Sequence, residues 1–421
     1  AQQAEDAGAS LLIVASNKEG AITGMVGGPR RRRRWLVGRW TPRVPALMVS
    51  KAAGRRISLS LGRGERLSAD FLPRDTFWSE VCSEIATAAL AVGLVVLGAF
   101  QSVEDLRRPA APSSHRDDVV VVEGHSGLHF VLFGSTMLVA LFFLMRYLIY
   151  VLLVVFASGA VSGAVAFLEP PLAALCPSLR RTRAFRLPAR LASWMGLAEE
   201  HSCSDALAEF AGCALAALFL VYRNDDAYGW LLQNTIATML LLTIQSTVRL
   251  PNLRTGTALL VCTFFFDIFW VFVSPLIFKK SVMIEVATGG GTGQSVPMVL
   301  KVPSGLPGQF KILGLGDIAL PGLLISMLLR HDLLRRSRRL RGYFVAGLLG
   351  YAIGLGATFL SLFLTKHGQP ALLFLVPGTL LPTFVIAWRK GELRELWTAS
   401  YGPEEPPEGY EELADEAAKQ D

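Results

Sequence analysis

Nine apolar stretches, each about as long as a bilayer is thick, dominate this chain and leave few folds open to it. A helix needs about 20 residues to cross the hydrocarbon core. In lipid, every backbone polar group must find its partner inside the protein. The candidate spans lie at about 82–100, 127–145, 147–168, 205–222, 229–247, 256–276, 312–330, 342–364 and 370–388. Little more than Arg146 separates the second from the third, and Asp205 and Glu209 make the fourth the weakest. Only 18% of the 421 residues are charged, against about 25% in soluble domains. The fold predicted for residues 80–390 is an all-α polytopic membrane protein with nine transmembrane helices.

Arginine marks alternate connections. Arg180, Arg181, Arg183, Arg186 and Arg190 fall between spans three and four, and Arg249 and Arg254 between five and six. Arg330, Arg335, Arg336, Arg338, Arg339 and Arg341 fall between seven and eight, and Arg389, Lys390 and Arg394 follow the ninth. With nine crossings all of these lie on one side, which the positive-inside rule makes cytosolic. The N-terminus is then lumenal or extracellular and the C-terminus cytosolic. Lys279, Lys280, Lys301 and Lys311 sit in the opposite loop, about 277–311, and run against a rule that long loops obey less strictly. The net charge of +7 is therefore read as membrane orientation. Lipid is an expected partner and nucleic acid is not.

Residues 1–76 read as a small α/β fragment on the lumenal side. An amphipathic start leads into the apolar run Leu11–Ala15, and VPALMVSKAAGRRISLSL reads as strand, turn and second strand. The chain starts at Ala1 without a charged segment followed by an apolar one, so it reads as a fragment or a processed form. Arg30–Arg34 read as a solvated loop. Cys82, Cys176, Cys203, Cys213 and Cys262 have no paired spacing, so neither a disulfide framework nor a zinc site is expected. The loop ATGGGTGQSVPMVLKVPSGLPGQ is flexible in composition, but VPMVLKVP within it can form an extended strand. Residues 391–421 form an acidic, Pro-containing tail, read as cytosolic and disordered, with Tyr410–Leu413 matching a short sorting pattern.

Acids inside spans are where chemistry is sought, because an Asp at a helix centre costs about 2.5–3.5 kcal/mol to insert. Asp267 stands in LLVCTFFFDIFWVFVSPLIF, and Asp317 near the start of the next span, in KILGLGDIALPGLLISMLL. Neither has a basic residue within a turn. Facing each other, two such carboxyls would share one proton. The ionised member could activate water while the protonated one polarises a carbonyl. A proton relay would use the same residues, and the two acids alone do not decide between these readings. Their surroundings add Gly314, Leu315 and Gly316 ahead of Asp317, and Gln369, Pro370, Ala371 and Leu372 at the head of the last span. The glycines admit close backbone approach. Pro370 has no N–H and makes the helix entry irregular.

An Asp in an aromatic-rich span, Gly-x-Gly-Asp in the next and Pro-Ala-Leu in the last resemble the signature of the intramembrane aspartyl proteases, presenilin and the signal peptide peptidases. The carriers are FFFDIFWVFVSP (264–275), VPMVLKVP (296–303), GLGDIALPGLL (314–324) and QPALLFLVPGTL (369–380). The resemblance covers about residues 80–390 and is best from 255 to 382. The lumenal N-terminus is similar to signal peptide peptidase-like proteins and opposite to presenilin. AEDAGASLLIVAS and VPALMVSKAAG resemble the C-terminal half of a protease-associated domain.

The resemblance implies an aspartic endopeptidase with Asp267 and Asp317 as its catalytic pair. Phe266, the Gly314–Gly316 segment and Gln369–Leu372 would support the site, and neither metal nor cofactor would be used. Met298, Val299, Leu300 and Lys301 are expected to hold an unwound substrate by strand addition. The implied substrate is a single-pass segment of type II orientation or a remnant signal peptide. The implied location is the endomembrane system, and a homo-oligomer is compatible with the reading. The family usually places Tyr where this chain has Phe266, so the ring is kept and the hydroxyl lost. Other chemistries fit less well. Ala160-Val-Ser162-Gly163 lacks a histidine partner at membrane depth, and His125 and His129 lack the Glu of a zinc protease motif. Gly159-x-x-x-Gly163 and Gly350-x-x-x-Gly354 read as close-packing motifs. A transporter would show matched internal repeats, and none is evident.

Overall fold

A computed structural model describes residues 12–15, 46–49, 51–63, 76–103, 120–122, 126–176, 178, 182–186, 200–225, 228–279, 281–287, 298–304, 310–335, 342–365 and 368–398. The basic run Arg30–Arg34, His125, the loop centre 288–297 and the tail from 399 with Tyr410–Leu413 lie outside these residues. The chain divides into two compact units, residues 1–83 with 303–311, and the remainder.

In the first unit, β1 (Leu12–Ala15) and β2 (Ala46–Val49) pair in parallel, with Leu12 opposite Ala46 and Ala15 opposite Val49. The expected second strand over ISLSL is instead the end of helix α1 (Lys51–Gly62). The Ser/Leu alternation suggested a strand, but Leu59 and Leu61 are exposed. The half-buried positions Gly54, Ile57 and Ser60 recur every three residues, a helical period.

The second unit is helical. Among the described residues, six helices are long and apolar enough to cross a membrane: Glu80–Ser102, Gly127–Leu168, Cys203–Tyr222, Leu253–Phe278, Tyr343–Thr365 and Leu372–Lys390. The first belongs to α2 (Thr76–Ser102). The second, expected as two spans, is α3 (Ser126–Leu175), two helices run together across a kink at Leu144 (φ −112°, ψ 16°), beside the expected boundary at Arg146. The sequence there, LFFLMRYLIY, has no Gly or Pro to form a loop. At 1.5 Å per residue its 42-residue apolar part is about 63 Å long, twice the hydrocarbon thickness. Its two halves serve different partners, the first facing Leu259 and Phe266 and the second facing Met239, Leu240 and Gly212. After β3 (Val120–Val121), β4 (Arg183–Arg186) and β5 (Glu200–Ser202) comes α4 (Cys203–Tyr222). Asp205, which weakened this span by composition, forms a capping box with Ser202 at its first turn.

Helices α5 (Gly229–Thr247) and α9 (Gly316–Leu334) fall outside the six although both are 19 residues long. Both are more polar, α5 through Gln233, Asn234 and Gln245 and α9 through Asp317, Arg330 and Asp332. Every residue of α9 from Ile318 to Asp332 is buried, so it need not be apolar toward lipid and can carry Arg330, His331 and Asp332. Between them run β6 (Val248–Arg249), paired with β3, and α6 (Leu253–Ile268), which continues through a π-helical turn, Phe269–Val273, into α7 (Ser274–Phe278). Next come α8 (Val282–Ala287) and the paired strands β7 (Val299–Pro303) and β8 (Phe310–Gly314). Helix α10 (Tyr343–Thr365), α11 (Leu372–Lys390) and α12 (Leu393–Thr398) complete the unit, and α12, with Leu396 fully buried, gives ordered structure to a stretch expected to belong to the disordered tail 391–421.

Glycines set the closest approaches, as both glycine motifs suggested. Gly350 and Gly354 of α10 meet the Gly378 and Phe374 carbonyls of α11. Pro382 lacks the N–H that would have taken the Gly378 carbonyl four residues back, which frees that oxygen to face Gly350. At a junction of three helices, the fully buried Gln245 amide of α5 lies between Gly98 of α2 and Gly322 of α9. Neither polar atom of that amide has a hydrogen-bond partner among the described residues.

The far end of α9 is tied by polar groups. Asp332 accepts the Tyr343 and Phe344 backbone N–H groups at 3.2 and 2.8 Å, capping α10. The Arg330 guanidinium donates to the Ser102 carbonyl at the end of α2, 2.7 Å away. Glu392 accepts from the Tyr343 hydroxyl at 2.6 Å and from Arg335 at 3.0 Å. Burial alone would raise the Glu392 carboxyl, but the Tyr343 hydroxyl, Arg335 and Lys390 hold it below its usual range.

Two outcomes follow. Gly98→Ala places a methyl against the Gln245 amide and is expected to destabilise the protein by about 1–3 kcal/mol. Adding Gln245→Ala should recover most of that loss in detergent thermal unfolding, and a failure to recover would refute the slot. Because the folded Glu392 carboxyl is the stronger acid, its stabilisation is present at neutral pH and lost as pH falls through its folded value. Glu392→Gln should therefore lower the melting temperature at pH 7, with the difference narrowing in acid. A difference that does not change with pH would contradict the assignment.

Candidate functional site

Helix α6 delivers Asp267 to a position 2% exposed. The helix widens into its π turn two residues later. The Ser274 hydroxyl sustains that widening, donating to the Trp270 carbonyl at 2.5 Å and accepting the Val282 N–H at 3.3 Å. The Trp270 ring is buried within this turn's surroundings, stacked on Phe278 and donating to the Ser135 hydroxyl at 3.3 Å. Such π turns often mark functional positions within helices.

The first backbone N–H groups of a helix have no partner within it. At the head of α11, Pro370 has no N–H to give, and Ala371 at the N-cap offers no side-chain oxygen. The Asp267 carboxylate takes that place. Its Oδ2 accepts the Leu372 N–H at 3.2 Å, while Oδ1 has no partner among the described residues. A helix N-terminus favours an anion there. Pro370, Ala371 and Leu372 are all buried beside it. Gln369 ties the entry to the last turn of α10, accepting from Ser361 at 2.7 Å and donating to Thr365 at 3.0 Å.

Asp317 is the second residue of α9, and its carboxyl is hydrogen-bonded by the Gly314 backbone N–H. A methyl on Gly314 would lie 3.0 Å from Asp317 Oδ2, so only glycine lets the strand end come this close. Four residues on, Pro321 leaves the Asp317 carbonyl without its helical donor. Leu315 bridges strand and helix, its N–H donating to the Met298 carbonyl at 3.3 Å and its carbonyl accepting the Ala319 N–H at 2.8 Å. Gly316 faces open space, with no atom within 4 Å of where a Cβ would be. Asp317 lies within electrostatic reach of Asp267.

Phe266 is turned the other way. Its ring lies 3.3 Å from the Cβ position of Gly134 and edge-on to Phe130, both on α3, with Trp270 beside it. The residues Met298, Val299, Leu300 and Lys301 lead into and form β7, and two side chains of α5 hold that strand. Gln233 donates to the Val299 carbonyl at 2.7 Å. Asn234 accepts the Lys301 N–H at 2.9 Å and donates to the Lys301 carbonyl at 2.7 Å. Burial lowers the Lys301 ammonium below its ordinary range.

Sequence reasoning did not single out Gln233 or Asn234. The available signal was two adjacent amides in an otherwise apolar span. It also passed over Tyr351, which follows a packing glycine. That phenol is fully buried, its hydroxyl lacks a hydrogen-bond partner among the described residues, and it lies within electrostatic reach of Asp317. No three His, Cys, Asp or Glu side chains come together as a metal site among the described residues.

Residues 114–402 match the family model of the signal peptide peptidases. The chain is 32% identical to signal peptide peptidase-like 3 of Arabidopsis thaliana, over 96% of this chain and 75% of that protein. It is 35% identical to signal peptide peptidase-like 2B of Rattus norvegicus, over 74% of this chain and 56% of that protein. Over a shorter stretch, 46% of this chain and 37% of its relative, identity reaches 43% with Arabidopsis signal peptide peptidase-like 5. The chain therefore belongs to the signal peptide peptidase family and is an integral membrane protease.

Proposed function

We propose that this protein is an intramembrane aspartic endopeptidase in which Asp267 and Asp317 act as a general acid/base pair. The observation that carries the reading is the Leu372 N–H held on Asp267 Oδ2, with Asp317 within the field of the same carboxyl. One carboxyl of such a pair ionises at the expense of the other. The ionised member takes a proton from water as the oxygen attacks the scissile carbonyl. The protonated member donates to the carbonyl oxygen; the amine then leaves with the proton taken from water, and the carbonyl-oxygen proton returns to its carboxyl as the C–N bond breaks. No covalent intermediate and no metal is involved.

A helical substrate hides its carbonyls in hydrogen bonds, so the segment must unwind near the scissile bond. Met298–Lys301, expected to take the substrate directly, is hydrogen-bonded to α5 on one edge and pairs with β8, so strand addition of the extended stretch falls to the outer edge of β8. Gly316 leaves room beside Asp317 for a second backbone. The substrate is a single-pass segment of type II orientation or a remnant signal peptide. The architecture is nine transmembrane helices, with α3 supplying two and α5 and α9 each supplying one. Residues 1–76 form a lumenal, partial protease-associated domain, and the residues after α12 a cytosolic tail. The protein resides in the endomembrane system.

Cleavage of a model type II substrate by reconstituted protein tests the reading. Asp267→Asn and Asp317→Ala are each expected to lower cleavage at least about 100-fold while keeping the wild-type unfolding profile. Phe266→Tyr, whose ring lies against α3, should change kcat/KM by less than about threefold, roughly 0.6 kcal/mol. Wild-type cleavage by Asp267→Asn would sink the proposal.

A further inference from the structure

The amides of Gln233 and Asn234 have a role the catalytic pair does not explain. Gln233 is fully buried and Asn234 is 9% exposed, so both were taken from water to make these bonds. An unmade bond at such a depth is costly. Asn234 presents its side-chain amide to Lys301 as a neighbouring strand would present a peptide group, accepting N–H and donating to C=O at once. Gln233 reaches the carbonyl two residues earlier. Positions 299 and 301 lie on the same edge of the strand, so three hydrogen bonds fix that edge to α5. The strand pairs with β8, and the Met298 carbonyl takes the Leu315 N–H. A short path therefore runs from α5 through β7 to Leu315, and from the adjacent Gly314 N–H to the Asp317 carboxyl.

Resting on the aspartic-protease reading, we propose that Asn234, assisted by Gln233, is a positioning residue that sets the register of the β7–β8 hairpin against Asp317 and thereby selects which substrate bond is cut. Sliding a strand changes which residues stand opposite each other. A hairpin held at one fixed height presents one peptide bond to the carboxyls. A hairpin freed from α5 samples neighbouring heights and presents several. The effect is on bond choice and on substrate capture, and neither amide touches the reacting atoms.

The test compares wild type, Asn234→Leu and Lys301→Pro on one transmembrane substrate, with products weighed by mass spectrometry. Lys301→Pro removes the N–H that Asn234 accepts and so attacks the same bond from the strand side. Both variants should spread cleavage over bonds adjacent to the wild-type position and lower kcat/KM about tenfold, mainly through KM. Gln233→Leu should do so more weakly. Products identical to wild type from both Asn234→Leu and Lys301→Pro would overturn the proposal. So would a slower reaction at a single unchanged bond, since that is what a merely structural role produces. Hydrogen exchange of residues 298–304 needs no activity and separates this idea from the protease reading. Faster exchange in Asn234→Leu is expected, and wild-type exchange would overturn the clasp even if no substrate were cut.

Discussion

A carboxylate capping the wrong helix organises this protein. Asp267 belongs to α6, yet the N–H it holds belongs to Leu372 at the head of α11. Both partners are expensive alone at membrane depth, one as an acid in an apolar span and the other as an orphan donor. Together they offset each other, and the pairing joins α6 to α11 at one point. Pro370 and Ala371 make the pairing necessary, because the first has no N–H and the second has no capping oxygen. Asp317 enters the same neighbourhood from α9, the helix buried most completely.

The rest of the unit keeps that point in place. Glycines bring α10 against α11, and Gly98 and Gly322 bring α2 and α9 around Gln245. At the other end of α9, Asp332, Arg330 and Arg335 connect it to α10, α2 and the start of α12. The π turn after Asp267 and the proline after Asp317 loosen helical hydrogen bonding beside each carboxyl. The site is thus held firmly from a distance and left irregular within.

The catalytic candidates were legible because each breaks a rule of its surroundings. Asp267 and Asp317 are acids without basic neighbours in apolar runs, and Pro370 is a helix breaker at a helix entry. The hidden parts obey the local rules. Tyr351 is one more aromatic in an apolar helix, and its bearing on Asp317 depends on how α10 packs. Gln233 and Asn234 gain meaning only from a strand 66 and 67 residues away. Burial replaces lipid contact around α9, so that span carries Arg330, His331 and Asp332, and a kink at Leu144 instead of a turn residue divides α3. The N-terminal misreading of ISLSL came from a period of two that the helix overrides.

The pH dependence of kcat/KM for cleavage by the reconstituted protein tests the shared-proton pair most directly. The account predicts a bell-shaped profile, with one limb for the carboxyl that must be ionised and one for the carboxyl that must be protonated. A flat profile, or a single limb that survives in Asp317→Ala, would contradict it.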